Sequence, residues 1–406
     1  MKTMANVFAA LPALFAPSRL ISLVGLLLLA SALPAQKIDV LYNFDGGANG
    51  GFPLGGLVRD SKNNLYGTTA GDQGVSAGNG TVFKITSTGQ YKTLYQFAGG
   101  VDGCYPAASL ILDSSGNLYG TTLYGGSGTC SAGNGVVFEI TTAGTEVVLH
   151  TFTGGTDGSE PEGGLFRDRS GNLYGTTFAG GASSAGTIYE ITATGTESVL
   201  YNFSGGGDGG NPTSRVVRDA SSNLYGTTAY GGSSACTGGC GVVYEYSASG
   251  TFTALYSFPG GPEGMYPYGG VTWVDDGTLY GTTSIYGGSG DCAEGCGTVY
   301  SVSTTGTEQN VLHDFSGTDG QAPDSGLVLD SHGDLYGTTF QGGVYGYGTV
   351  YEVNASGSER PIYNFTGQGD GANPYSGVIR DPKGNIYGTT FEGGAHGFGV
   401  VFKITP

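Results

Sequence analysis

Asn117-Leu118-Tyr119-Gly120-Thr121-Thr122 is the stretch on which the organisation of this chain turns. Its core, Tyr-Gly-Thr-Thr, occurs seven times, with the tyrosine at Tyr66, Tyr119, Tyr174, Tyr225, Tyr280, Tyr336 and Tyr387. A proline stands 13 residues before each of these, at Pro53, Pro106, Pro161, Pro212, Pro267, Pro323 and Pro374. Between proline and tyrosine lies an aspartate (Asp60, Asp113, Asp168, Asp219, Asp275, Asp330, Asp381), assigned to the same turn in every unit because its side chain accepts turn N–H groups. After each tyrosine, an aromatic residue follows at 15 to 20 residues: Phe83, Phe138, Tyr189, Tyr244, Tyr300, Tyr351 or Phe402. From each of the first six to the next proline is 23 residues. All length variation therefore sits in one interval, the mark of a fixed structural unit with one variable loop.

The first full unit carries four strand signals: a (residues 55–60), b (64–69), c (81–85) and d (91–97). Each is short, rich in Val, Ile, Tyr, Phe and Thr, and bounded by turn residues. No stretch sustains a helical period. A four-stranded antiparallel unit of roughly 50 residues is one propeller blade, which buries its faces only by packing against other blades. The expected fold is all-β: a seven-bladed β-propeller with four antiparallel strands per blade. The chain opens on a strand d (Lys37 to Phe44) and ends on a strand c (Val400 to Thr405), so the first strand is expected to complete the last blade and leave no free edge. The recurring strand-b glycine is read as permitting close approach between neighbouring blades.

Eighty glycines among 406 residues lack a Gly-X-Y period, which excludes collagen, and the aromatic content excludes a flexible linker. Residues 1–35 read as a signal peptide: Lys2 and Arg19, the apolar run Leu20 to Leu29, then small residues to a cleavage point after Ala35. Residues 36–406 then form a single propeller domain, secreted or periplasmic, with no membrane span once the signal is removed. That portion holds 13 basic and 33 acidic residues, a net −20, which disfavours nucleic acid and anionic lipid and accommodates cations or neutral ligands. A monomer is expected.

The run Gly-Asn-Leu-Tyr-Gly-Thr-Thr, then Gly-Gly, then Gly-Thr-Val-Phe-x-Ile-Thr, then Leu-Tyr-x-Phe-x-Gly-Gly-x-Asp-Gly-x-x-Pro resembles the GloVer repeat of bacterial "choice-of-anchor tandem repeat" proteins. The resemblance covers residues 37–406. It implies an exported or surface protein and brings no catalytic residues with it. Some members of that family carry a C-terminal sorting anchor, and this sequence stops at Pro406 in strand c without one, which favours free secretion or periplasmic residence.

In this strand order the b–c and d–a loops share one face, and the variable positions gather there. Ligand-binding candidates are Tyr124, Tyr230, Tyr286, Phe340, Phe391 and His396, with Phe52, Phe178, Tyr105, Tyr266 and Tyr268 nearby. Aromatic rings above a polar rim suit flat ligands or sugar faces, and equally cap the apolar layers beneath. Four residues before each proline stand Asn49, Asp102, Asp157, Asp208, Glu263, Asp319 and Asp370. The six acids are candidate cation ligands, with Ca²⁺ the one ion considered and no cofactor otherwise expected; Asp-Gly is also an ordinary turn pair. Six cysteines in an exported chain read as disulfides: Cys236 with Cys240, Cys292 with Cys296, and Cys104 with Cys130. His150 and His313 replace the strand-d tyrosine and read as packing residues, while His332 lies on the opposite face. Glu160, Glu162, Asp291, Glu294 and Glu392 break the repeat on the loop face without forming a base–nucleophile pair. The function expected is a non-catalytic binding or structural module for a glycan, a peptide or an envelope protein. The alternative is a polysaccharide lyase or hydrolase with its site in the central channel.

Overall fold

The computed structural model describes residues 36–71, 78–287, 292–306 and 309–405. The expected signal peptide, its cleavage point and Asp291 lie outside the described residues. Among the described residues the chain forms seven four-stranded antiparallel sheets, each in the order a, b, c, d. In the first blade these strands are Val58–Arg59, Leu65–Thr69, Thr81–Ile85 and Tyr91–Gln96. The last blade joins Ile379–Arg380, Ile386–Thr390 and Val400–Thr405 to the N-terminal strand Lys37–Asn43.

That N-terminal strand is a true strand d. In every blade one residue of d bulges out of the c–d ladder, and it is always leucine or isoleucine: Leu94, Leu149, Leu200, Leu255, Leu312, Ile362 and, in the closing strand, Leu41. Just past each d strand a phenylalanine is almost fully buried: Phe44, Phe97, Phe152, Phe203, Phe258, Phe315 and Phe365. Each meets the strand-c aromatic of the next blade edge to face, with ring centroids 4.9–5.3 Å apart. The apolar core is accordingly seven clusters, one in each seam between blades, the seventh joining the last blade to the first through Phe44, Phe83 and Val401.

The structure assigns a duty to each residue of Tyr-Gly-Thr-Thr. The tyrosine hydroxyl donates to the a–b turn aspartate, as Tyr66 does to Asp60 (3.1 Å) and Tyr387 to Asp381 (3.1 Å). The glycine lies opposite the strand-c aromatic of its own blade. A Cβ on Gly120 would stand 2.7 Å from the Phe138 ring. The expected close approach is thus mediated: the glycine lets the ring lie flat on its own sheet, and the next blade packs on the ring. The first threonine reaches into the following blade and donates to a carbonyl just ahead of strand a. This holds in all seven blades, from Thr68 to Ala108 O (3.2 Å) round to Thr389 and Gly55 O (3.4 Å). The second threonine holds the start of strand c, as Thr69 accepts from the Thr81 N–H at 3.1 Å.

Two expectations need correction. Strand a is only two or three residues long, because the stretch before it gives carbonyls to the neighbouring blade's threonine instead of to a ladder. The a–b turn aspartate fails in blade five. There Val274 holds the turn position, Asp275 is displaced by one, and the turn is closed by Val274 N–H to Thr278 O (3.0 Å) and by Asp276 accepting from Thr278 N–H (2.9 Å).

Candidate functional site

The short a strands surround a central cavity of about 970 Å³. Its wall is built in layers by the alternation of an extended chain. One residue after each proline comes a rim: Leu54, Ala107, Glu162, Thr213, Tyr268, Asp324 and Tyr375. Two residues further in, the equivalent positions are glycine in five blades, Ser109 in the second and Arg215 in the fourth. Two more bring an apolar collar that includes Val58, Ile111, Phe166, Val328 and Ile379. The glycine layer hollows the cavity, and the rim gives it a polar opening on the b–c/d–a loop face.

The rim is aimed by a backbone feature absent from the expectations. The residue before each proline has positive φ, between 55° and 60°, although none is glycine: Phe52, Tyr105, Glu160, Asn211, Tyr266, Ala322 and Asn373. Such a conformation costs of order 1 kcal/mol or more for most side chains and persists only when its surroundings fix it. Here they do. In every blade its N–H donates to the preceding b–c loop and its carbonyl accepts from its own, as Tyr105 does with Asn79 O (2.9 Å) and Leu123 N (3.1 Å).

Two rim carboxyls hold protons unusually tightly. Burial, and then the negative charge of Glu160, push Glu162 up to about 7. Burial pushes Asp324 up to about 6, partly offset by a hydrogen bond from Ser284. The Asp324 Oδ1 is enclosed and has no hydrogen-bond partner. Tyr375 is raised by burial and then by Asp324, Glu162 and Tyr105, so these four groups share one electrostatic environment. Tyr105 and Tyr268 are likewise raised, first by burial.

Of the ligand-binding candidates, Tyr124 lines the cavity, its ring 6.0 Å from that of Tyr105. Tyr230 stands behind the rim, its hydroxyl 3.4 Å from that of Tyr268, and Phe340 meets Tyr375 edge-on at 5.8 Å. Phe391 packs against Phe52 at 5.2 Å. Tyr286 is exposed, as is His396, and neither lines the cavity. Glu294 and Glu392 are exposed as well. Asp324, Tyr375 and Arg215 escaped the sequence reading. The signal was available: at constant distance from the prolines, these are the positions whose chemistry changes most from blade to blade.

The acidic ring occupies the d–a loops. Asp102 accepts from Ala98 N–H (2.6 Å), Gly100 N–H (3.1 Å) and the Tyr95 hydroxyl (3.0 Å). Asp157, Asp208, Asp319 and Asp370 accept equivalent bonds from Thr153, Ser204, Ser316 and Thr366. Glu263 closes a short 3-10 turn, Gly261–Glu263. His313 and His150 stand where other blades donate a tyrosine hydroxyl, with Nε2 3.0 Å from Asp319 and 3.4 Å from Asp157. Among the described residues, His313 with Asp319 and Glu359, and Asp330 with His332 and Asp334, each bring three metal-ligating atoms within 4.8 Å of one another. All six cysteines pair as expected: Cys104–Cys130, Cys236–Cys240 and Cys292–Cys296. Among the described residues no helix is long and apolar enough to cross a membrane.

The chain belongs to the Gloeobacter/Verrucomicrobia repeat family, whose model matches residues 29–170, 127–292 and 236–406. No curated protein matches it. It is similar in structure to the extracellular domain of a protein described as a one component system from B. thetaiotaomicron, with a TM-score of 0.55 and 12% identity over 91% of this chain. This chain spans only 41% of that one's length. It is also similar to an oligogalacturonate lyase from Vibrio parahaemolyticus, with a TM-score of 0.54 and 10% identity over 92% of this chain and 94% of the other. At such identities these likenesses are of fold.

Proposed function

We propose that this protein is an exported binding module that takes part of a glycan into the loop-face opening of its central cavity. One observation carries the reading: four tyrosines, Tyr105, Tyr124, Tyr268 and Tyr375, share the cavity wall with two carboxyls, Glu162 and Asp324, that hold protons up to about pH 7 and about pH 6. Aromatic faces stack on the apolar faces of sugar rings, and hydroxyl and carboxylic-acid groups bond their hydroxyls. Three disulfides support an oxidising compartment and hence export. A second reading, acid–base cleavage of a polysaccharide, draws on the same carboxyls, because a general acid works best with a pKa near the operating pH.

The test is a glycan array on the purified protein, followed by titration calorimetry with the best ligand. Tyr268→Ala and Tyr375→Ala, each folded by circular dichroism, are expected to weaken binding at least tenfold. Affinity untouched by both substitutions would remove the cavity from consideration. Capture of a peptide or protein instead of a glycan would overturn the ligand class. Release of shortened or unsaturated sugars on prolonged incubation would move the assignment to the second reading.

A further inference from the structure

Arg215 is the anomaly of the cavity. In the other six blades its position is Gly56, Ser109, Gly164, Gly270, Gly326 or Gly377, so nothing in the blade's own architecture calls for a side chain there. Arg215 lines the cavity one layer below the rim, and its side chain is exposed to the solvent of the lumen. Its stem runs beside the glycine of the preceding blade: a Cβ on Gly164 would stand 3.6 Å from the Arg215 Cβ. Among the described residues it has neither an ion pair nor a hydrogen bond, whereas Arg218, Arg360 and Arg380 each have a carboxylate within 3.1 Å. Glu162 and Asp324 do not neutralise it. The protein walls around it lower its pKa even though the side chain meets solvent, and no nearby carboxylate works the other way.

A cation in a confined lumen with no carboxylate paired to it attracts a bound anion more strongly than one on an open surface does. The planar fork of arginine matches a carboxylate with two parallel hydrogen bonds. We propose that Arg215 is the anion-recognising group of the cavity and that the glycan bound there carries a carboxylate, as a uronic-acid residue does. The inference rests on the glycan reading above and narrows it. The tyrosine rim stacks on the sugar ring while the acid group descends past it to Arg215. The rim carboxyls, protonated in mildly acidic solution, then act as hydrogen-bond donors and do not repel the ligand. The strongly negative protein offers such a ligand no long-range attraction, so recognition is local to Arg215.

Titration calorimetry at pH 6 of the purified protein with a uronic-acid trisaccharide, with its methyl ester and with inorganic phosphate tests this. The acid is expected to bind at least tenfold more tightly than the ester. Arg215→Gly, which installs the residue of five other blades, should abolish that preference without lowering the melting temperature. Arg215→Lys should keep part of it. Equal binding of acid and ester, or a preference that survives Arg215→Gly, overturns the inference and leaves the glycan reading standing. Phosphate binding as tightly as the trisaccharide would make this a site for free anions and overturn the sugar assignment. Failure of every glycan, neutral or acidic, removes both.

Discussion

Glu162 and Asp324 occupy a position that is Leu54 in one blade and Ala107 in another. The fold asks nothing of that position, so its chemistry is free to serve a ligand. The consequence for stability has a definite sign. Both carboxyls are raised in the folded protein, to about 7 and about 6, above the values near 4 of an unfolded chain. The stability they contribute is complete below about pH 4 and is lost as pH rises through 6 and 7. Wild type should therefore lose more stability between pH 4 and pH 8 than Glu162→Gln/Asp324→Asn, by a difference on the order of several kcal/mol. Urea midpoints measured across that range decide it, since Glu146 and Glu359, also raised to about 7, are common to both proteins and cancel. Parallel curves would mean that the rim carboxyls are ordinary. Glu162 was legible in the sequence as a break in the pattern. Asp324, Tyr375 and Arg215 were not, because they vary in identity and not in spacing, and spacing drew attention to the b–c loops.

Strands b, c and d were legible to within a residue, since each pairs along its length and shows its period. Strand a was overestimated, because its lead-in satisfies its carbonyls across a seam, which no local pattern records. Strand c poses an energetic question of its own. Its central aromatic is phenylalanine in blades one, two and seven and tyrosine in blades three to six. Tyr189, Tyr244, Tyr300 and Tyr351 are fully buried, and none of the four hydroxyls has a hydrogen-bond partner. A buried hydroxyl without a partner costs roughly 1–3 kcal/mol. Tyr189→Phe should accordingly raise stability by about 1 kcal/mol, seen as a higher denaturation midpoint with an unchanged slope. A lower midpoint would show that the hydroxyl holds a water or a partner through motion of its neighbours.

Closure was the most legible feature of the whole molecule, because a chain that opens on strand d and ends on strand c leaves one arrangement with no unpaired edge. The register confirms it: Lys37 pairs with Thr405 and Asn43 with Val400, and Thr389 donates to Gly55 across the junction. Removing residues 36–44 deletes that strand and Phe44, opening the seventh seam and baring the edge of Val400–Thr405. The truncated protein should lose several kcal/mol, on the scale of losing a large buried aromatic together with a strand, and should self-associate through the bared edge. Its denaturation midpoint and its mass by light scattering test this, and a synthetic peptide of residues 36–44 should restore both. A truncated monomer of unchanged stability would refute closure as a source of stability.

The glycine layer of the cavity wall has a wider implication. Six of its seven positions, all but Gly270, line one lumen, and one of them carries a side chain as large as that of Arg215. The layer does not admit a side chain everywhere: a Cβ on Gly377 would stand 2.5 Å from Gly326 O, and one on Gly270 would stand 2.7 Å from the Ser214 Cβ at a positive φ. Two chains with near-identical repeats can therefore differ at the few layer positions that do admit a side chain, as this one does at Arg215. Within such a family, descent can be traced through the blades, and ligand preference must be sought in the few residues the repeats leave unspecified.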